Sequence, residues 1–207
     1  MTGKIKIGRL LRAGTAGFIA GCHVSQLDSP TFGGLVRVPI NENYQVFGLI
    51  HDMNIDDDGI VRQLVTAEQI DESVIADNRV NRNIPIEISI LTVGYEENGI
   101  VRHMLPPRPP LSLDEIYLCT DEEIRKFTSV GHFGYFRHII HGNDIRVSEV
   151  LAAHLQQANS AHLAGGDHTF MTNAVQEVIT LLRDDYPALM TVLGALSEIV
   201  ENARELK

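Results

Sequence analysis

The sequence predicts an α+β protein: a small closed β-barrel of about six or seven mostly antiparallel strands, then a C-terminal segment of about three helices. Three observations carry this. From Lys4 to about Thr66, short apolar runs are punctuated by glycine, asparagine and aspartate. Ile84, Ile86, Ile88 and Ile90 fall on alternate positions, with Pro85, Glu87 and Ser89 between them. From Ser148 onward the apolar spacing changes to three and four, the period of a helix face.

The first strand is Lys4–Leu11, where Ile5 and Ile7 alternate with lysines. Glycines at 14, 17 and 21 bracket Phe18-Ile19. Gly33-Gly34 precede Leu35–Ile40, and Val46–His51 follows, nearly all apolar. Asp57-Asp58-Gly59 is a hairpin signal leading into Ile60–Thr66. Gly8 and Gly48, inside strands, suit a strongly bent barrel wall, where a side chain would obstruct coiling. Ala67–Asn78 is acidic and reads as a partly helical insertion; Pro85, lacking an N–H, marks a strand start or edge. Glu97-Asn98-Gly99 turns the chain back through Ile100–Met104, closing the barrel domain at residues 1–104.

Residues 105–147 form a second stretch. Leu105–Leu111 is proline-rich and reads as an extended exit, though its PxxP spacing also fits a polyproline ligand. Asp114–Leu118 is a short strand, and Thr120-Asp121-Glu122-Glu123 is a capping box opening a helix to about Thr128. Gly131–Asp144 is irregular and aromatic.

Residues 148–207 are helical. Ser148 is the expected cap of a first helix ended by Gly165-Gly166. A second runs from about Thr169 to Arg183, and a third begins with Pro187 at its first position. In that third helix Leu189, Val192, Leu196, Ile199, Ala203 and Leu206 follow coiled-coil spacing. Leu189, Val192, Leu196, Ile199 and Leu206 are therefore the candidate oligomer or partner interface. Leu193 and Val200 widen the stripe, which favours packing within the protein's own bundle.

The formal charge is −10, with 27 acidic against 17 basic residues. Neutralising phosphates takes lysines and arginines, so direct nucleic-acid binding is disfavoured. No window offers the ~18 to 20 apolar residues of a membrane span, and Arg9 and Arg12 interrupt any signal-peptide core. A cytoplasmic protein with two free thiols, Cys22 and Cys119, is the expectation.

Motifs for chemistry are sparse. There is no Gly-x4-Gly-Lys-Ser/Thr and no Gly-x-Gly-x-x-Gly, so ATP hydrolysis and dinucleotide binding are disfavoured and no cofactor is implied. Asn54–Gly59 begins like a calcium loop, but Val65 stands where a bidentate glutamate is needed. His138 and His141, three apart, with His132 and Asp144 near in sequence, are the candidate metal ligands, although nothing fixes their convergence. His154 and His162 are separated by about 12 Å along a helix, too far to share an ion. Cys22 and His23, adjacent in a strand, point to opposite faces and cannot pair.

Ile7-Gly8-Arg9, the Gly48-Leu49-Ile50 strand, the prolines at 106–110, Glu115–Leu118 and the helix start Asp121–Phe127 together resemble the HAS-barrel. That domain stands at the N-terminus of HerA-type DNA-translocating ATPases and is related to the N-terminal barrel of rotary ATP synthase subunits. The resemblance covers roughly residues 4–140. It implies a barrel on the rim of a hexameric motor, mediating ring assembly and partner docking. The motor's nucleotide-binding core, with its Gly-Lys-Ser/Thr loop, has no counterpart here, so the motor's activity is not carried over. The sequence thus points to a non-catalytic assembly or protein-binding module. Its partner would be a second copy or a protein such as a separate ATPase. The alternative is a small enzyme or metal-binding protein with its site near His132, His138 and His141.

Overall fold

The structure, a computed structural model, describes residues 5–22, 30–55, 66, 71–74, 77 and 86–205, with side chains as far as Ser197. The turn at Asp57-Asp58-Gly59, the strand from Ile60, most of the acidic insertion and the calcium-like loop lie outside the described residues.

Seven strands form one antiparallel sheet: β1 (Lys6–Ala13), β2 (Gly17–Cys22), β3 (Leu35–Asn41), β4 (Tyr44–Asn54), β5 (Ile86–Glu97), β6 (Ile100–Arg102) and β7 (Glu115–Leu118). Six of them close a barrel in the order β1-β2-β5-β4-β3-β7, and β7 pairs back onto β1. β6 extends the sheet as a hairpin on the far end of β5. Asn98 and Gly99 turn that hairpin with φ of 50° and 80°, as Asn-Gly should. The closing strand β7 comes from beyond residue 104, so the stretch expected to leave the barrel also completes it. Gly8 and Gly48 sit where expected. A Cβ at Gly8 would lie 2.0 Å from the Gly21 carbonyl oxygen, and one at Gly48 would lie 2.3 Å from the Ile90 side chain.

Both faces of half the sheet are buried. Ile7, Leu10, Phe18, Val36, Val46, Ile50, Ile86, Ile88, Ile90 and Ile116 fill the barrel. Leu35, Phe47, Leu49 and Val93 point outward into a second core with the helices. That explains the nearly unbroken apolar run in β4, since a strand covered on both faces loses its polar alternation. A bulge in β5 pairs Gly48 with Thr92 but Phe47 with Gly94. The extra residue flips the phase, so Val93 faces the helices while Tyr95 returns to the barrel interior.

The helices are α1 (Asp121–Thr128), a turn at Gly131–Phe133, α2 (Phe136–Ile140), α3 (Val147–Ala164), α4 (Phe170–Leu182) and α5 (Tyr186–Glu205). The α1 capping box is formed: Thr120 and Glu123 exchange backbone-to-side-chain bonds of 3.0 and 3.3 Å. Two details differ from expectation. α3 begins at Val147, which puts Ser148 inside the helix, with Arg146 as the residue before it. α5 begins at Tyr186, so Pro187 is its second residue and Asp185 accepts the Ala188 N–H. Part of the candidate interface stripe packs inward. Val192 and Leu196 are buried in the core shared with α3 and α4, with Leu189 partly buried beside them, and a side chain spent there cannot dock a partner. The side chains of Ile199 and Leu206 lie outside the described residues.

Barrel and helices are joined by polar ties as well as apolar area. Arg37 Nε of β3 lies 2.7 Å from Glu123 Oε1 of α1. His154 of α3 bridges the Gly33 carbonyl at 3.3 Å and the Tyr135 hydroxyl at 3.0 Å. A carbonyl can only accept, so Nδ1 carries the proton and Nε2 accepts from tyrosine. Burial pushes this imidazole down to about 4, consistent with that neutral form.

Candidate functional site

Two clefts flank an aromatic nest. At its centre lies His103, buried, with its ring 4.7 Å from Phe127 and 4.9 Å from Tyr135. Its Nε2 lies 3.0 Å from the Phe127 carbonyl and donates to it, leaving Nδ1 as a buried acceptor without a partner among the described residues. Burial pushes its pKa down. Gly131, His132 and Phe133 follow one another at φ of 63°, 45° and 55°. Two non-glycine residues held left-handed in succession are strained, and such strain persists only where the surroundings fix it.

The first cleft, about 560 Å³, lies between α1, this turn and the α3–α4 connection. It is lined by Thr128, His132, His162, Asp167, Phe170 and Glu177 among others. His162 stacks on Phe170 with centroids 4.0 Å apart. Its Nδ1 is 3.0 Å from Asp167 Oδ2 and its Nε2 is 2.7 Å from Thr128 Oγ1. Hydroxyl, imidazole and carboxylate in this order are the parts of a nucleophilic relay. Here, however, Thr128 is only 3% exposed and its oxygen also lies 2.8 Å from the Ile124 carbonyl. One hydroxyl proton serves two acceptors, so the relay ties the last turn of α1 to the end of α3. Asp167 is fixed in turn by the Thr169 N–H at 2.8 Å, the chief cause that holds its carboxyl below the usual range. Sequence reasoning missed this set. His162 and Asp167 span a helix end, a spacing with no periodic signature.

The second cleft, about 520 Å³, lies where the barrel meets α2. His51 of β4, Leu91 and Thr92 of β5, Arg137 and His138 of α2, and His141 just after it line it. Arg137 and His138 share the His103 carbonyl, with His138 Nε2 at 3.3 Å. Burial pushes the His51 and His138 imidazoles down.

The structure therefore splits the predicted ligand set. His138 and His141 line one cleft, His132 the other, and Asp144 lines neither. The left-handed turn sends His132 away before α2 begins. Among the described residues no three His, Cys, Asp or Glu side chains are positioned to hold a metal ion. His51, which joins His138 and His141, was hidden at the end of an apolar strand far away in sequence.

A third feature lies on the barrel's outer surface. The turn Leu111–Asp114 exposes Leu111 and Leu113 by 68% and 69%, beside exposed Leu11. Leu113 has φ of 74°. It is pinned by its N–H to the Leu10 carbonyl at 2.8 Å and by Arg9 Nη1 to its own carbonyl at 2.8 Å. Asp114 Oδ2 accepts the Leu111 N–H at 2.7 Å. Among the described residues no helix is long and apolar enough to cross a membrane. Compared with known protein families and with curated proteins, the chain matches none.

Proposed function

We propose that this chain is a non-catalytic protein-docking module, the role the HAS-barrel resemblance implies. One observation carries the reading: two leucines are held out to solvent on a rigid turn, one of them in a left-handed conformation. Free energy is spent on presenting apolar surface rather than on hiding it. A preorganised apolar anchor loses little entropy on binding, which is how a small patch becomes an energetic centre of an interface. The barrel interior, filled by its own side chains, offers no competing use. The partner is a protein with a complementary apolar pocket: a second copy, or a separate ATPase of the resembled kind.

The test is light scattering over a range of concentrations, with co-purification from the protein's own cell extract. Wild type is expected to exceed monomer mass or to retain an ATPase, and Leu111→Asp with Leu113→Asp is expected to abolish either. A monomer that retains nothing, or association indifferent to the double substitution, overturns the reading.

A second reading, a small hydrolytic enzyme, draws on the Thr128–His162–Asp167 set, against which stands the buried Thr128 hydroxyl held by the Ile124 carbonyl. Hydrolysis of an activated ester by wild type but not by His162→Gln would support it over the docking role.

A further inference from the structure

We propose that the cleft between the barrel and α2 binds a small organic oxyanion, a molecule with an apolar body and one carboxylate or phosphate head. The inference is independent of the docking role.

Its first support is the sign and type of the polar lining. Arg137 is the formal charge among the lining residues, joined by the imidazoles of His51, His138 and His141, the Asn143 amide and the Thr92 hydroxyl. Among the described residues no aspartate or glutamate lines the cleft, in a chain of net charge −10. Asp52 and Asp144 are neighbours in sequence but lie outside the lining. A set rich in donors and free of carboxylates repels cations and accepts oxyanions, and the guanidinium fork suits a carboxylate or phosphate head.

The second support is an unmet hydrogen bond. Thr92 is fully buried, and its hydroxyl finds no partner among the described residues. The hydroxyl is covered, so it meets an occupant only when the β5 wall shifts to uncover it, and that shift would satisfy a polar group of a kind that is almost always satisfied.

Preorganisation is the third. Arg137 donates from Nη2 to the His103 carbonyl, which steadies the side chain, while its remaining nitrogens make no hydrogen bond among the described residues. The donors arrive from β4, β5 and α2, elements fixed by the two cores. Finally, Ile90, Leu91, Leu105 and Ile145 provide apolar walls, and Leu105 is 46% exposed at the cleft. A volume of about 520 Å³ falls in the ordinary range for small-molecule sites.

Isothermal titration of the whole chain with phenyl phosphate, benzoate and benzylamine tests the proposal. Phenyl phosphate or benzoate is expected to bind and benzylamine is not. Whichever anion binds tighter assigns the head group as phosphate or carboxylate. Arg137→Gln should weaken binding at least tenfold. Because that change also loosens the His103 contact, His141→Asp, on an exposed residue with no side-chain bond of its own among the described residues, is the second variant. It too should weaken binding at least tenfold. Absence of binding by both anions, equal binding of benzylamine, or affinity unchanged in both variants overturns the proposal.

Discussion

Gly33 is where the barrel presses hardest on the helices. Its φ is +78°, and an added Cβ would lie 2.6 Å from Ala153 Cβ, 2.7 Å from His154 N and 2.8 Å from Ala153 C. Two of those atoms are α3 backbone and cannot rotate away. Gly99 offers a matched control, with φ of +80° and nothing within 4 Å. Both alanine variants bear the left-handed strain of about 1 to 2 kcal/mol. Only Gly33→Ala adds overpacking, about 1 to 3 kcal/mol. It also displaces the helix that carries His154, whose bond to the Gly33 carbonyl is worth about 1 kcal/mol more. The expectation is a loss of about 3 to 6 kcal/mol for Gly33→Ala against about 1 to 2 for Gly99→Ala. In a chain of this size each kcal/mol moves Tm by about 2 to 4 °C. Urea unfolding followed by tyrosine fluorescence reads the difference, since the sequence has five tyrosines and no tryptophan. If Gly33→Ala is no worse than Gly99→Ala, the packing of α3 against the barrel is not as described.

The Arg37–Glu123 pair gives a second test. Arg37 is buried, and Glu123 serves it through one oxygen while closing the α1 capping box through the other. Glu123→Ala should cost about 3 to 5 kcal/mol because it strands a buried cation. Adding Arg37→Met to it should recover much of that loss in a double-mutant cycle read by urea unfolding. The His154 imidazole, held at about 4 by burial against about 6.5 unfolded, binds fewer protons folded than unfolded between those values. Its contribution is complete above pH 6.5 and lost as pH falls towards 4, a span of about 3 kcal/mol. Urea midpoints at successive pH values should fall over that window, and more gently for His154→Gln. If the His162 relay is a structural tie, Thr128→Val should lower stability by about 1 to 2 kcal/mol in the same assay, because it leaves the buried imidazole nitrogen without its hydroxyl partner.

What could be read before the fold was known depended on how local the physics was. Ile86–Ile90 declares itself as a strand because period-two burial is written within a few residues, and Val46–Ile50 because a short apolar run marks a strand covered on both faces. β7 was legible as a short strand but not as the one that closes the barrel, because that role comes from Lys6 and Arg37, which pair with Tyr117 across the barrel seam. The stripe on α5 was legible as a helix face, and its width favoured internal packing without deciding it. An apolar face is the same whether a neighbour in the chain or a second molecule covers it, and here Val192 and Leu196 are covered from within. The clefts were the least legible. His132 and His138 are close in sequence, yet three left-handed residues at the turn send them to different sides. Thr92 and His51 reach His138 only because a barrel brings β4 and β5 together under α2. A site assembled from remote strands has no spacing to detect. Its sequence trace is only the oddity of a histidine ending an apolar strand and a threonine interrupting another.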